Sequence, residues 1–237
     1  MEKAITIRFS HIDDAGIVFY PRYFEILSEL FVEPPFANPP FAMETRFLKP
    51  NILGDEVRVA FDPDNWSFSG RMGDTEHFAV RSLTESTLDS AAHAPEAPAF
   101  RSDAMLVSPW ATDCSGRLQV SRFFEFLNAA VEQWFPRTLG VTFRDLHSRR
   151  KIGMPTVVIR TRCRELPRAG DTVSIWIRPT GIGTKSLAYT CWLLRDGECL
   201  LENEQVVVFI RTGGPQFVTI PIPDDIRPRL QEQHVAA

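Results

Sequence analysis

The chain resembles itself, and this internal repeat constrains its fold more than any other feature. Residues 13 to 27 lie over residues 113 to 127 at an offset of 100. Asp13/Asp113, Gly16/Gly116, Arg22/Arg122, Phe24/Phe124, Glu25/Glu125 and Leu27/Leu127 are identical, and Tyr23/Phe123 and Ile26/Phe126 are similar. Farther on the offset becomes 116, where Thr45/Thr161, Arg46/Arg162, Gly54/Gly170, Asp55/Asp171 and Val57/Val173 match. The residues added in the second copy fall near 137 to 152. Two matching blocks in the same order point to a duplication, and so to two lobes of one architecture, the first a shortened version of the second.

Each copy carries the same succession of local signals. Residues 4 to 9 alternate as a strand does. Asp13-Asp14-Ala15-Gly16 is a turn signal, and Pro21 suits a first helical turn. Tyr23, Phe24, Ile26, Leu27, Leu30 and Phe31 cover most of the following helix, which predicts deep burial; Pro34 and Pro35 stop it. Strands are expected at about 41–48, 56–61, 65–71 and 76–85. The second copy predicts a strand at about 101–107, a turn at Asp113-Cys114-Ser115-Gly116 and a helix over 121–135 ended by Pro136. After the extra segment come strands at about 155–165, 171–179, 184–195 and 198–211, with a hairpin turn at Arg195-Asp196-Gly197-Glu198. The order implies an α+β fold in which a long buried helix is wrapped by one curved antiparallel sheet, twice over. The expected boundaries are a first lobe at 1–86, an Ala/Ser/Pro-rich linker at 87–100, a second lobe at 101–230 and a tail at 231–237. The lobes are expected to pair by sheet extension and helix contact about an approximate two-fold axis.

Composition narrows the function classes. Apolar residues make up 44% of the 237 and charged residues 24%, ordinary values for a packed globular chain. A net charge of −4 argues against a nucleic-acid partner. No apolar run approaches the roughly 18 residues of a membrane helix, and the N-terminus lacks the apolar stretch of a signal peptide; a soluble, cytoplasmic protein is expected. The four cysteines show no CxxC spacing and read as reduced, mostly buried thiols. No cluster of His, Asp and Glu suggests a metal. No GxSxG element marks an α/β-hydrolase, and Gly181-Ile182-Gly183 lacks the spacing of a phosphate loop.

The stretch Phe9-Ser10-His11-Ile12-Asp13-Asp14-Ala15-Gly16-Ile17-Val18-Phe19-Tyr20-Pro21-Arg22-Tyr23 resembles the entry motif of hotdog-fold acyl-CoA thioesterases, above all the 4-hydroxybenzoyl-CoA thioesterase branch. The second copy resembles it through Asp113, Gly116, Phe123 and Phe124. Gly183-Thr184-Lys185-Ser186-Leu187 is similar to the start of the family's fourth strand, and Ile220-Pro221-Ile222-Pro223-Asp224-Asp225-Ile226-Arg227 to its C-terminal tail. The chain departs from the family at His11 and Ala111, where an acid is common, and at Tyr20, where some relatives use a histidine. The first copy also lacks the long loop after its helix. The resemblance implies a double hotdog chain that hydrolyses an acyl-CoA thioester without a cofactor.

It also implies roles for residues. In relatives the aspartate before Ala-Gly supplies the reacting carboxylate, here Asp13 and, in the second copy, Asp113. It either attacks the carbonyl or acts as general base for water. The backbone N–H at the start of the buried helix, of Tyr20 or Val120, would polarise the thioester oxygen; a helix N-terminus has free N–H groups and partial positive charge. Lys185 and Ser186, by their match to the fourth strand, and Arg149 and Arg150, in the densest basic run, are candidates for the CoA phosphates. Simpler readings stand beside these. Asp13 could be a turn aspartate, Asp113 a structural one, and the basic run a solvated loop. His11 could tune Asp13 across a strand or simply be half-exposed. Glu25 and Glu125 are better explained as ion pairs with Arg22 and Arg122 at i−3, and the tryptophans as core. The shortened lobe offers no lysine matching Lys185, so one dominant site is expected, at Asp13. The alternatives are a thioesterase acting on acyl carrier protein and a non-catalytic acyl-CoA binding module; a hydratase lacks its usual motif here. Assembly of several double-hotdog chains into a homo-oligomer is compatible with either.

Overall fold

A computed structural model describes residues 1–31, 34, 36, 38–83, 94–214 and 217–235. Half of the expected linker, residues 87–93, therefore lies outside the described residues. The first lobe contains β1 (Glu2–Thr6), α1 (Tyr20–Leu30), β2 (Phe41–Phe47), β3 (Glu56–Asp62), β4 (Ser67–Met72) and β5 (Thr75–Ser82). The second contains β6 (Phe100–Arg101), β7 (Met105–Leu106), α2 (Val120–Trp134), β8 (Ile152–Gly153), β9 (Thr156–Cys163), β10 (Thr172–Ile182), β11 (Ser186–Arg195) and β12 (Glu198–Val208). It ends with β13 (Ile210–Arg211), β14 (Val218–Thr219) and α3 (Arg227–Val235).

One antiparallel sheet runs through both lobes in the order β1-β3-β4-β5-β2-β9-β12-β11-β10-β6, with β7 also on β10. The lobes join where β2 pairs with β9, Met43 opposite Thr161 and Thr45 opposite Ile159. Sheet extension is thus one half of the expected pairing. The other half is helix contact: the rings of Phe24 on α1 and Phe124 on α2 stack with centroids 4.3 Å apart. Both rings are fully buried, as are Leu27 and Leu127, so each helix turns its aromatic stripe into a core shared by the two lobes. The i,i+3 pairs Arg22–Glu25 (2.6 Å) and Arg122–Glu125 (2.9 Å) form, and Arg22 also reaches Glu125 across the helices at 3.0 Å. The β11–β12 hairpin turns at Asp196 and Gly197, whose φ angles of 52° and 83° are those of a tight hairpin turn.

Three local features differ from the sequence reading. The first strand ends at Thr6, and Phe9–His11 forms a 3-10 turn instead of continuing it. The extra segment of the second lobe folds into two short helical turns, Phe135–Leu139 and Asp145–Arg149, followed by β8. β8 joins β13 and β14 in a separate three-stranded sheet. Residues 227–235 are helical, anchored by fully buried Leu230 and by the Trp134 Nε1–Gln233 bond of 2.8 Å. Among the described residues, no helix is long and apolar enough to cross a membrane.

Candidate active site

The two repeat aspartates occupy one backbone motif. The Asp13 Oδ1 accepts the N–H groups of Ala15 (2.9 Å) and Ile17 (3.3 Å), and the Asp113 Oδ1 accepts those of Ser115 (2.8 Å) and Arg117 (3.0 Å). Each turn closes with a glycine N–H to the aspartate carbonyl, Gly16 to Asp13 and Gly116 to Asp113, both at 3.0 Å. The φ angles of Gly16 (79°) and Gly116 (76°) lie where side chains are strained, which accounts for the identity of these glycines in both copies. The turn then delivers the chain to a helix N-terminus. Phe19 and Gln119 are the N-caps, with extended backbone and no side-chain cap. At α1, Pro21 has no N–H and the Arg22 N–H is taken by the Phe19 carbonyl at 2.8 Å. Among the described residues, the Tyr20 N–H has no acceptor, which leaves it as the open donor of that turn.

Surroundings separate the two motifs. Asp13 and Tyr20 line a cavity of about 400 Å³, within the size range of small-molecule sites. Its walls come from both lobes: the Asp13 turn, the start of α1 and Phe47–Pro50 from the first, and Asn128, Val131, Phe135, His147, the 153–157 strand start, Tyr189 and Val207 from the second. Burial lifts the Asp13 carboxyl above its usual range; the Ile17 and Ala15 N–H groups oppose this, Asp14 adds to it and His147 opposes it. Asp113 and Val120 are not among the residues that line the cavity. Burial acts upward on Asp113 too, but there the Ser115 hydroxyl, the N–H groups of Arg117 and Ser115 and the Arg117 charge outweigh it and hold the carboxyl below its usual range. The Arg117 Nε lies 3.6 Å from Asp113 Oδ2.

Most polar atoms of the cavity's aromatic side chains are already satisfied by protein. The Tyr20 hydroxyl donates to the Phe124 carbonyl (3.2 Å), that of Tyr23 to Asn51 Oδ1 (3.1 Å) and that of Tyr189 to Gln205 Oε1 (2.8 Å). Their hydroxyls are thus engaged by protein, and among the lining residues Asp13 is the one carboxylate of a mostly apolar wall. Asn51 also braces the Asp13 turn, since its carbonyl accepts the Val18 N–H at 2.9 Å and its side chain meets His77 at 3.0 Å.

The other residues singled out by sequence are placed as follows. Lys185 is exposed and its Nζ donates to Thr219 Oγ1 at 3.2 Å, Thr219 being part of the cavity wall. Ser186 is half-buried opposite Val208, another wall residue. Arg149 is 80% exposed and 3.4 Å from Asp145. Arg150 is held by Asp145 (2.6 Å) and Asp225 (2.8 Å), so it ties the extra segment to the C-terminal region. His11 is buried, not half-exposed, and both its ring nitrogens meet Arg8, with Nδ1 accepting the Arg8 N–H at 3.1 Å. The 3-10 turn, rather than a strand, sets its direction, and it is not part of the cavity wall. The lysine and the histidine of the wall, Lys49 and His147, escaped the sequence reading. The signal for His147 was present: it is the one histidine of the extra segment.

No family model matches the sequence, and no curated protein matches it. Solved structures do match. A protein from Lactobacillus plantarum named as an oleoyl thioesterase superposes with a TM-score of 0.65 at 11% identity, covering 93% of this chain and 96% of its own. A 4-hydroxybenzoyl CoA thioesterase mutant complexed with 4-hydroxybenzoyl CoA matches at TM-score 0.51 and 17% identity, over 55% of this chain and 97% of its own. A 1,4-dihydroxy-2-naphthoyl-CoA thioesterase from Synechocystis matches at 0.50 and 16%, over 56% of this chain and 96% of its own. Two of these chains thus span about one lobe, and the first spans both. The chain has the hotdog fold, in tandem.

Proposed function

We propose that the protein hydrolyses an acyl-CoA thioester at one dominant site, with Asp13 as the reacting carboxylate. The observation that carries this reading is that Asp13 and Tyr20, the residue with the open N–H at the start of α1, line one mostly apolar cavity with walls from both lobes, while Asp113 is not among its lining residues. Hydrolysis needs a carboxylate to attack the carbonyl or to deprotonate water, and a donor for the oxyanion as it forms. A helix N-terminal N–H is suited to the second task because it carries partial positive charge and needs no reorganisation. A buried carboxylate held above its usual range is a stronger base than a solvated one, which suits the first. The likeness to solved CoA thioesterases agrees in fold, and their named reactions agree with what this wall could do.

Lys185, Ser186 and the exposed Arg149 are proposed to meet the CoA phosphates outside the cavity, with Arg150 holding the segment that carries Arg149. One chain supplies both lobes of the site, so the reading does not require a homo-oligomer.

The test is thiol release from a panel of aromatic and aliphatic acyl-CoA esters, with one acyl group offered also on a carrier protein. Turnover of free CoA esters is expected. Turnover of the carrier-bound ester alone would move the reading to a carrier-protein thioesterase, and saturable binding without turnover to a non-catalytic acyl-CoA module.

A further inference from the structure

Tyr20 and Val120 occupy the same place in the two copies, at the first residue of each buried helix. The Tyr20 ring meets Phe47 of β2 and Phe124 of α2 edge-on, with centroids 6.5 and 5.8 Å apart. Its hydroxyl donates to the Phe124 carbonyl at 3.2 Å and accepts from Gln205 Nε2 at 3.4 Å. A carbonyl inside a helix can take such a second bond because it has two lone pairs. Gln205 is buried on β12 opposite Tyr189 of β11, and its Oε1 accepts the Tyr189 hydroxyl at 2.8 Å. The bonds form a directed chain in which Tyr189 donates to Gln205, Gln205 to Tyr20 and Tyr20 to Phe124.

Packing alone does not call for this chain. A phenylalanine would bury the same ring at the start of α1 and would need no partner for a hydroxyl. With the hydroxyl present, two groups of the second lobe, Phe124 and Gln205, hold the tip of the first residue of the first lobe's helix. The other helix start has no such hold. Val120 carries no polar atom on its side chain, and the Phe24 carbonyl, the counterpart of Phe124, accepts the hydroxyl of Ser28 from its own helix at 2.9 Å. Buried polar networks whose members are satisfied make their surroundings rigid. Here the rigid point is the residue whose N–H is the open donor of the turn beside Asp13.

We propose that this chain aims the oxyanion donor: the Tyr20 hydroxyl and Gln205 are positioning groups that fix the first turn of α1 and, with it, the direction of the Tyr20 N–H. The inference rests on that N–H being the donor of the proposed hydrolysis. A backbone donor cannot be exchanged for a stronger one; it can only be aimed, and the tip of its own side chain is the lever by which the second lobe aims it. Misplacement of a catalytic group by about 1 Å can cost on the order of 100-fold in rate, so a hold on this residue bears on turnover and not on stability alone. Its absence at Val120 agrees with one dominant site.

The experiment measures kcat and KM separately, per folded molecule, for the full chain, Tyr20→Phe, Gln205→Met and the double variant. Tyr20→Phe keeps both the ring and the N–H. It is expected to lose on the order of tenfold in kcat with KM within about twofold, because only the transition state uses the aim of the donor. Gln205→Met is expected to lose kcat in the same direction, and the double variant no more than Tyr20→Phe alone, since both cut one chain. Unchanged kcat in folded Tyr20→Phe, or a loss carried wholly by KM, would overturn the proposal, and this arm stands even where Gln205→Met does not fold. A second measurement does not need turnover. The chain has three tyrosines, so isotope labelling of tyrosine nitrogen gives three backbone amide signals in NMR, and that of Tyr20 is identified by its absence in Tyr20→Phe. The signal is expected to move or broaden in Gln205→Met; an unmoved signal overturns the proposal. A wild type inert on every ester, with a moved signal, would instead sink the thioesterase reading and leave the hold on Tyr20 standing.

Discussion

Glu44 and Arg160 face each other across the junction of β2 and β9, their side chains bonded at 2.8 Å, and they are the same position in the two halves of the chain. The offset between them is the 116 residues that separate Thr45 from Thr161. The flanking pairs, Met43 with Thr161 and Thr45 with Ile159, exchange under the same offset. A local two-fold axis therefore passes through this one pair, and the duplicated lobes meet in the register that a symmetric dimer would use. Duplication has made a charge complement where a true dimer would have brought two copies of one residue together.

That pair lies in a tighter cluster. Glu44 is buried, accepts a hydrogen bond from Arg46 (2.7 Å) and pairs ionically with Arg81 (2.8 Å). Burial acts upward on its carboxyl, but the bonds from Arg46 and Arg160 and the charge of Arg81 prevail and hold it below its usual range. Glu44→Gln is expected to destabilise the protein by about 1–3 kcal/mol at neutral pH, as lost charged hydrogen bonds do. A carboxyl with a lowered folded value gives stability above its unfolded value and loses it as pH falls through the folded one. Thermal melts of both proteins from pH 7 to pH 3 should therefore show the deficit shrinking in acid; a deficit independent of pH would contradict the assignment.

The stacked rings of Phe24 and Phe124 join the two lobes in one core, which predicts that they unfold together. Phe124→Ala removes a fully buried ring from the shared core and should cost about 3–5 kcal/mol. Urea denaturation followed by tryptophan fluorescence and by far-UV circular dichroism should still give coincident single transitions, moved to lower midpoint. Separate transitions in the wild type would mean that the lobes unfold independently.

The repeat, the two buried helices and the meander strands were legible because their signals are local: apolar period, turn residues and proline stops. The Asp196-Gly197 hairpin is the clearest case, since two residues determine it. What escaped depends on distant partners. Helix α3 has a polar sequence with no apolar stripe; the Trp134 indole N–H donating to Gln233 and Arg229 donating to the Leu139 carbonyl hold it in place. His11 read as a strand residue because Ile5 to Phe9 continues an alternation that the 3-10 turn interrupts. At the site, the Asp13 turn and the Tyr20 helix start could be read from the motif, but His147 could not be joined to them. The two are 134 residues apart in sequence, and nothing local to His147 names its neighbour. Likewise Asp13 and Asp113 share one backbone turn; Ser115 and Arg117 beside Asp113, in place of Ala15 and Ile17, and the cavity walls supplied by the other lobe distinguish them.

Burial of Asp13 should leave a mark on stability. Its folded value is raised, so its ionisation above that value opposes folding, while below the unfolded value of 3.8 it contributes nothing. Asp13→Asn keeps an oxygen for the Ala15 and Ile17 N–H groups. It should melt at higher temperature than the wild type at pH 7, with the gain vanishing as pH falls towards 4. An equal or lower melting temperature at pH 7 would show that the carboxylate is not strained by its surroundings.

The most direct test of one working site is kcat/KM for a CoA ester turned over by the wild type, measured side by side in Asp13→Asn and Asp113→Asn. Loss of a reacting carboxylate should cost Asp13→Asn at least about 100-fold, while Asp113→Asn should stay within about threefold, the scatter of ordinary surface changes. Equal losses in both variants, or full activity in Asp13→Asn, would contradict the account.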